Sequence, residues 1–200
     1  TLCAGDDGIL VAQGTATIYE WYDEAAGGTL VTTNDTLSLT NVSQTDTFYV
    51  ESYDMSTADV GALDSTIGGG GNYTSMGQGL VFDVNNTITL DSVTVYPNSN
   101  GSVVVNLLNS SGTSLQTRTV TVGSAGAKRI YVGFTISPGS DYELTGTNTT
   151  TGGMFRNSSG AVYPYSDIGN NVSITETNNS LGGQGYFYFF YDWAITVEGC

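Results

Sequence analysis

Residues 185–200 read GYFYFFYDWAITVEGC, and no other stretch of the chain says as much about the fold. Taken with a period of two residues, one side of it is apolar throughout, as in a β-strand with one buried face. We therefore predict a single long strand over residues 186–197. The opposite side begins with three further aromatic residues and continues with Asp192. The side predicted to be buried carries Phe187, Phe189, Tyr191, Trp193, Ile195 and Val197.

The composition is typical of an all-β protein. Ser, Thr, Asn and Gly dominate the polar residues, Val, Ile, Tyr and Phe dominate the apolar ones, and the 200 residues include only 3 prolines. No stretch shows helical periodicity, so we predict many short strands joined by turns. The chain lacks an initiator Met, a signal peptide and an apolar run that could span a membrane. We expect a segment of a longer protein, without membrane insertion.

The charge of the chain is strongly negative. There are 19 acidic residues and only 4 basic ones, for a net charge of −15. Phosphate binding needs clustered Lys and Arg, so nucleic acid is excluded as a partner, and so is an anionic membrane surface. All of the basic residues lie between residues 55 and 196. The remaining parts of the chain are predicted to form an acidic, solvated spacer.

The strand pattern divides the chain into two parts. In residues 1–54, five short segments separated by Gly, Asn and Asp turns predict a compact β-sandwich. Trp21, in the second of these strands, is predicted to pack in its core. From residue 79 onward, about eight or nine further strands at regular spacing predict a second, larger sandwich of jelly-roll type.

Three motifs in the first part carry a family resemblance. They are WYD at residues 21–23, GGTL at residues 27–30 and TFYVE at residues 47–51. Together with the opening Cys-x-Gly, they resemble the Ig-like module repeated in large secreted proteins of the Bacteroidetes. The resemblance implies an Ig-like fold for this part and a secreted, cell-surface location for the protein.

The same resemblance bears on the two cysteines. In such modules a Gly-Cys soon follows the last strand, and its cysteine is expected to pair with the opening one. Here Cys200 comes only after a long detour, so the resemblance implies a Cys3–Cys200 disulfide that closes an Ig-like frame of residues 1–54 plus 197–200. Residues 55–196 would then be an inserted jelly-roll β-sandwich. Two free thiols are the alternative.

The inserted region has a resemblance of its own. Its segments DSVTVYP, LLNSSG and ISPGSDYELTG resemble jelly-roll modules attached to secreted bacterial surface proteins and polysaccharide-acting enzymes. This resemblance implies the architecture but not one particular ligand.

Few catalytic groups are available in this sequence. The chain has no histidine, which excludes Ser-His, Cys-His and His-metal sites. A pair of carboxylates, as in glycoside hydrolysis, is the remaining route, and Asp167 or Asp192 could supply half of one. Solvated surface aspartates are the commoner reading, so we predict that the protein is not an enzyme and needs no cofactor.

Calcium is another possible use for the carboxylates. Asp6 and Asp7, followed by a glycine, could hold a structural Ca²⁺ with backbone carbonyls, and so could the aspartates of residues 59–64. The competing interpretation is that these aspartates simply form turns, and it is the one we favour.

The aromatic residues suggest a carbohydrate site. Aromatic rings stack on the apolar faces of sugars, while neighbouring polar side chains bond the hydroxyls. The alternative is a second aromatic layer that packs inside the protein. For Tyr186 and Tyr188 we leave the two interpretations open. The candidate ligand-binding residues are Tyr186, Tyr188 and Asp192 on one face of that strand, with Tyr163 and Tyr165 in loops.

Modification is also implied by the resemblance to Bacteroidetes proteins. Their periplasmic O-glycosylation targets Ser or Thr that follows Asp and precedes a small or aliphatic residue or Thr. Three positions fit this pattern, and they are Thr36, Ser65 and Ser92.

Two functions remain open at this stage. The first is a non-catalytic module of a cell-surface adhesin or filament that binds a surface or extracellular polysaccharide through the jelly roll. The second is a purely structural stalk unit, whose partners are neighbouring copies or domains of the same chain. An accessory domain of a polysaccharide-acting enzyme is a further alternative.

Overall fold

The computed structural model describes residues 4–179 and 184–199, and nearly all of its secondary structure is β. The predicted all-β class is therefore confirmed. The described chain divides into two compact units, one formed by residues 4–56 with 198–199 and the other by residues 57–197. Within the described residues, no helix has the length and apolarity that a membrane crossing requires.

The first unit is small and has two antiparallel sheets. Strand β1 pairs with β4, and β2 lies between β3 and the first half of β5. The boundary between the units falls within β5. The strands are β1 (Gly8–Val11), β2 (Ile18–Tyr22), β3 (Leu30–Thr32), β4 (Thr36–Leu39) and β5 (Tyr49–Val60).

Alternation along β2 builds the core of this unit. Tyr19 and Trp21 point inward and are buried, as is Leu37 on β4, whereas the neighbouring β2 residues are partly exposed. The indole Nε1 of Trp21 donates a hydrogen bond to the backbone oxygen of Asn34 at 2.9 Å, which satisfies its buried N–H. The predicted core position of Trp21 is confirmed.

The second unit contains the remaining strands. A sheet of six strands has the order β10-β9-β12-β7-β15-β14, a second sheet contains β11-β8-β16, and β13 pairs separately with β6. A 3-10 turn occurs at Ser65–Ile67. The strands are β6 (Gly70–Tyr73), β7 (Leu80–Val84), β8 (Ile88–Val95), β9 (Gly101–Leu108), β10 (Ser114–Val122), β11 (Lys128–Ile136), β12 (Gly139–Asn148), β13 (Met154–Asn157), β14 (Tyr165–Ser166), β15 (Val172–Thr177) and β16 (Tyr191–Gly199).

Both larger sheets contribute to one apolar core, and the C-terminal aromatic residues lie in it. The ring of Trp193 meets that of Phe82 edge-on, with centroids 5.0 Å apart, and its Nε1 donates to the backbone oxygen of Phe190 at 2.8 Å. The prediction that the Phe187, Phe189, Tyr191 and Trp193 side chains are core residues is confirmed. The largest fully buried side chains are Trp193, Tyr191, Phe82, Phe187, Phe189 and Phe190.

The long C-terminal strand was predicted wrongly. Strand β16 begins only at Tyr191, and the preceding aromatic residues form an irregular segment. Within it Phe189 has a φ of 61°, and the N–H of Phe190 donates to the oxygen of Tyr188 at 2.7 Å, closing a tight turn. Tyr188 and Phe190 are buried as fully as Phe187 and Phe189. An entirely aromatic run contains no polar residue to mark an exposed face, so period-two alternation could not be tested there.

A strand that was not predicted lies in a glycine-rich stretch. Strand β6 pairs with β13 so that Tyr73 lies opposite Met154 and Gly70 opposite Asn157. A Cβ on Gly70 would collide with the backbone oxygen of Arg156, so only glycine permits this approach. Glycine is a poor strand former, which is why the pattern predicts a loop here. The pairing places Tyr73 and Arg156 side by side.

Candidate functional site

The four basic residues of the chain all lie in strands of the second unit. Arg118 is in β10, Lys128 and Arg129 are in β11, and Arg156 is in β13. Arg129 is paired with Asp192, with an Nη1–Oδ2 distance of 2.7 Å. Arg156 is different, because tyrosine rings and not carboxylates surround it.

We name the group formed by Tyr73, Arg156, Tyr186 and Tyr188 the Arg156 cluster. The guanidinium carbon of Arg156 lies 3.7 Å from the ring centroid of Tyr73, 4.6 Å from that of Tyr186 and 5.2 Å from that of Tyr188. The rings of Tyr186 and Tyr188 stack on each other, 5.7 Å apart and inclined by 11°. Ring faces carry partial negative charge, so each of these contacts stabilises the cation.

The guanidinium of Arg156 has unused hydrogen-bonding capacity. Its Nη1 atom is buried, yet it donates to no atom of the described residues. The side chain as a whole is half-buried. No carboxylate in the described part of the chain forms an ion pair with it, whereas Arg129 is close to Asp192 and Asp59. Arg156 therefore keeps its positive charge without a carboxylate partner among these residues, and because Nη1 is buried, only its other N–H groups can serve a ligand.

The rim of the Arg156 cluster is open and polar. Tyr73 is 42% exposed, and Asn72 and Asn98 beside it are exposed and joined by a hydrogen bond of 3.1 Å from Nδ2 to Oδ1. Tyr186 is half-buried. An exposed ring, a guanidinium and two amides can together stack on a flat apolar face and bond hydroxyl groups around it.

Tyr188 is part of the Arg156 cluster but is only 2% exposed. Its hydroxyl accepts a hydrogen bond from Nδ2 of Asn179 at 2.5 Å. Burial raises the pKa of Tyr188, although the Asn179 hydrogen bond and the charge of Arg156 act in the opposite direction. For this residue the geometry favours the packing interpretation, because no ring face is left for a ligand.

Tyr163 and Tyr165 do not join the Arg156 cluster. Both pack on Phe187, with ring centroids 6.2 Å and 5.3 Å from it. The hydroxyl of Tyr163 donates to the backbone oxygen of Tyr186 at 2.7 Å, and burial raises the pKa of Tyr163 well above its ordinary value. These two tyrosines support the segment that carries Tyr186.

The prediction that Asp192 shares a strand face with Tyr188 is wrong, because Tyr188 precedes β16. Asp192 has a φ of 48°, which turns it out of the regular ladder. Its Oδ2 also accepts from the hydroxyl of Thr94 at 3.5 Å, and Arg129 bonds its backbone oxygen. The carboxylate is thus committed to an ion pair away from the Arg156 cluster.

Asp167, the other candidate for a catalytic carboxylate, is buried and holds a turn together. Its Oδ1 accepts from the backbone N–H groups of Asn171 and Val172 at 2.7 and 2.8 Å. Its Oδ2 accepts from the N–H of Gly169 at 2.9 Å and from Nδ2 of Asn171 at 2.8 Å. The Asp167 carboxylate accepts four hydrogen bonds from the protein itself. Its burial is therefore explained without a bound substrate.

The aspartates considered for calcium lie in turns. Oδ1 of Asp7 accepts from the N–H of Asn41 at 2.8 Å, and the backbone oxygen of Asp6 accepts from Val42. Asp64 caps the 3-10 turn, and its hydrogen bonds from the hydroxyl and N–H of Thr66 lower the pKa of the carboxyl. In the part of the chain that the structure describes, no three His, Cys, Asp or Glu residues are grouped as a metal site. Calcium at Asp6 and Asp7 stays a prediction.

The three predicted O-glycosylation positions are all half-buried. Thr36 is in β4, Ser65 begins the 3-10 turn, and Ser92 is in β8. The Oγ of Ser92 accepts from Nε of Arg129 at 2.7 Å. Modification at these positions stays a prediction. Cys3 and Cys200 lie outside the described residues, so their disulfide stays a prediction as well.

The first unit has a concave surface of its own, about 240 Å³ in volume. Tyr22 lines it, and the Tyr22 hydroxyl donates to Oε2 of Glu20 at 2.7 Å. Tyr53 donates to Oε1 of the same carboxylate at 3.0 Å. None of the predicted ligand-binding residues is present. The lining residues are Tyr22, Glu24, Ala25, Ala26, Gly27, Gly28, Tyr49 and Glu51.

The shared carboxylate gives a prediction about pH. The hydrogen bond to Glu20 raises the pKa of Tyr22 from 10.0 to about 12, and burial followed by the same acceptor raises that of Tyr53. A raised pKa favours the neutral phenol, so this stabilisation is fully present below pH 10 and is lost as the pH rises through about 12. We expect Glu20→Gln to lower the pKa of Tyr22 toward 10, measured by phenolate absorbance. Glu24→Gln is the control, and an unchanged titration in Glu20→Gln would contradict the assignment.

Two residues of the Arg156 cluster, Tyr73 and Arg156, were not predicted from the sequence as site residues. Tyr73 follows a glycine-rich stretch with no strand pattern, and Arg156 lies in a strand of four residues. One signal was available, because Arg156 is among only 4 basic residues in a chain of net charge −15. Because basic residues are so rare in this acidic chain, each of them is a candidate for a specific role.

Comparisons with known proteins bear on the first unit. Residues 1–59 match the family model described as "Ig-like domain CHU_C associated". This supports the Ig-like module predicted from the motifs, a module typical of extracellular and cell-surface Bacteroidetes proteins and generally non-enzymatic. No curated protein and no solved structure matches the chain.

Proposed function

We propose that this chain is a non-catalytic module of a cell-surface adhesin or filament, and that it binds a surface or extracellular polysaccharide through the Arg156 cluster. The observation that carries the proposal is the exposed ring of Tyr73 beside an unpaired guanidinium. The Ig-like match over residues 1–59 supports the extracellular setting. The predicted calcium is not part of this proposal.

The chemistry of the Arg156 cluster suits a sugar. A pyranose ring has an apolar face that stacks on an aromatic side chain and a rim of hydroxyls that accept and donate hydrogen bonds. Tyr73 offers the ring, and Arg156 and Asn72 offer donors around it. Tyr73 ends the short strand β6, and its ring is accessible, with the residue 42% exposed.

The organisation of the chain is part of the same proposal. The two compact units support an Ig-like frame interrupted by an inserted jelly-roll domain, since the first unit includes residues 198–199 from the far end of the chain. We propose that a Cys3–Cys200 disulfide closes the frame. Non-reducing peptide mapping would test it, and alkylation of both cysteines without reductant would argue against the bond.

A non-catalytic role is supported by the state of the carboxylates. Asp167 is saturated by four hydrogen bonds, and Asp192 is paired with Arg129. Both carboxylates are thus engaged within the fold, whereas a general acid and base must be free to reach a substrate. The chain also has no histidine.

A structural stalk unit is the second candidate. It is favoured by the distribution of charge, since the acidic residues of the first unit have no basic residue in that unit to neutralise them. Repulsion between such units in a tandem array would keep it extended. Neighbouring copies of the chain would then be its partners, and the Arg156 cluster would act only in packing β6 against β13.

Glycan binding separates the two candidates. On an array of plant, bacterial and host polysaccharides we expect the protein to bind. We expect Tyr73→Ala to weaken binding about tenfold or more, because it removes the aromatic face on which the sugar stacks. Affinity electrophoresis with the best polysaccharide on the array would measure the change.

The control is Tyr131→Ala. Tyr131 is 63% exposed on β11 and has Arg118 over its ring at 5.5 Å, so it matches Tyr73 in exposure and in cation–π contact. We expect this variant to bind as the wild type does. Absence of binding to every polysaccharide, or equal binding by Tyr73→Ala and the wild type, would favour the stalk unit instead.

A further inference from the structure

We propose that the Arg156 cluster recognises a carboxylate, so that its ligand is a neutral polysaccharide that carries spaced uronic acid residues. This inference rests on the proposed function, because it names the class of glycan that the same site takes. It is carried by the guanidinium of Arg156, whose charge and donors have no partner among the described residues.

An arginine without an acceptor is unusual in a folded protein. Arginine is seldom buried unless it is paired, since a buried donor that makes no hydrogen bond is destabilising. The Nη1 atom of Arg156 is buried and makes none, while the cation–π contacts with three tyrosines offset only part of the loss. A ligand oxyanion at the accessible side of the guanidinium would neutralise its charge, although it would not reach the buried Nη1.

The other charges of the chain do not provide this partner. Asp192 and Asp59 lie 2.7 Å and 3.9 Å from Arg129, so these two carboxylates pair with Arg129 and not with Arg156. Arg118 donates from Nε to the backbone oxygen of Val132 at 3.0 Å. Arg156 differs from the other arginines because tyrosine rings surround its guanidinium, and within the described ranges neither a carboxylate nor a carbonyl accepts a hydrogen bond from it.

The planar fork of the guanidinium matches the planar carboxylate of a uronic acid. Because Nη1 is buried, the pair of donors left for a ligand is Nε–H and one N–H of Nη2, which can bond both carboxylate oxygens. Such charge-assisted pairs are among the stronger hydrogen bonds in proteins. Tyr73, whose ring lies 3.7 Å from the guanidinium, is exposed beside it and can stack on the same or the next sugar. A neutral sugar would use the ring but leave the charge unpaired.

The charge of the whole protein limits how acidic the ligand can be. With a net charge of −15 the protein repels a densely charged polyanion. A single carboxylate is less affected, because charges farther away than about 8 Å are largely screened at physiological ionic strength. The fitting ligand therefore has isolated acidic residues on a neutral chain, and polygalacturonate is expected to bind weakly.

The test compares one polysaccharide in two forms. Glucuronoxylan has a neutral xylan chain with spaced glucuronic acid groups, and chemical reduction of its carboxyls gives a neutral counterpart of the same structure. By affinity electrophoresis we expect the wild-type protein to bind native glucuronoxylan about tenfold more tightly than the reduced form, as a charge-assisted hydrogen bond predicts.

Variants of the cation complete the experiment. Arg156→Gln should bind both forms equally and weakly, Arg156→Lys should recover part of the preference, and Arg118→Gln should bind as the wild type does. Equal wild-type binding of native and reduced glucuronoxylan would overturn the carboxylate inference while leaving the proposed function standing. Absence of binding to both forms and to every polysaccharide on the array would overturn both. If Arg156→Gln fails to fold, the binding of the wild-type protein to native and to reduced glucuronoxylan still tests the carboxylate inference.

Discussion

Trp193→Ala is expected to destabilise the second unit by about 3–5 kcal/mol, the range for deleting a large buried aromatic side chain. The Trp193 side chain is 0% exposed, meets Phe82 edge-on and bonds the backbone oxygen of Phe190 through Nε1. Its loss leaves a cavity between the sheets and an unsatisfied carbonyl at the irregular segment. Urea unfolding followed by far-UV circular dichroism measures the change in the free energy of unfolding.

Ile168→Ala is the matched surface control, because Ile168 lies in the same unit and is fully exposed. We expect this variant to change the free energy of unfolding by less than about 0.5 kcal/mol. A loss below about 1 kcal/mol in Trp193→Ala would show that Trp193 is not packed between the sheets as described. Trp21 remains in this variant and reports on the first unit by its fluorescence.

Asn157→Ala should destabilise the second unit by about 3 kcal/mol, because it removes the partners of several buried polar groups at once. The Nδ2 of Asn157 donates to the backbone oxygens of Ser65 and Gly68 at 3.0 and 2.8 Å. Its Oδ1 accepts from the hydroxyl of Tyr191 at 2.8 Å. The residue is 0% exposed, so water does not replace these bonds. Thermal and urea unfolding measure the loss.

Tyr191→Phe provides an internal comparison for this network. It removes one hydroxyl and keeps the ring, so a smaller loss of about 1 kcal/mol is expected. Asn100→Ala, at an exposed position, is the control for the amide-to-methyl change itself. If Asn157→Ala were no more destabilising than Asn100→Ala, the proposed anchoring of the 3-10 turn to β13 would be incorrect.

Alternation succeeded wherever polar and apolar residues take turns between clear turn signals. Strands β9 and β11 are of this kind, with buried and more exposed residues alternating along them. It failed at residues 186–190, where every side chain is aromatic and nothing in the sequence separates a buried face from an exposed one. It also failed at β6, because a strand chosen for close approach uses glycines that local propensity assigns to loops.

The candidate site was predictable only in part. Aromatic chemistry drew attention to Tyr186, and that residue does lie in the Arg156 cluster. Tyr73 and Arg156 are distant in sequence and meet because β6 pairs with β13 in one register. Such a pairing depends on tertiary packing, so a single sequence could not reveal it. The ion pair between Arg129 and Asp192 was hidden for the same reason.

The placement of the four basic residues within strands bears on how readily proteases can cut the chain. Proteases of the trypsin type cut after Lys or Arg and need an extended, mobile segment to enter their cleft, which loop tips usually provide. Arg118, Lys128, Arg129 and Arg156 are all held in β-ladders. The first unit contains no basic residue at all. While the second unit stays folded, its loops and the whole of the first unit offer such enzymes no cleavage point.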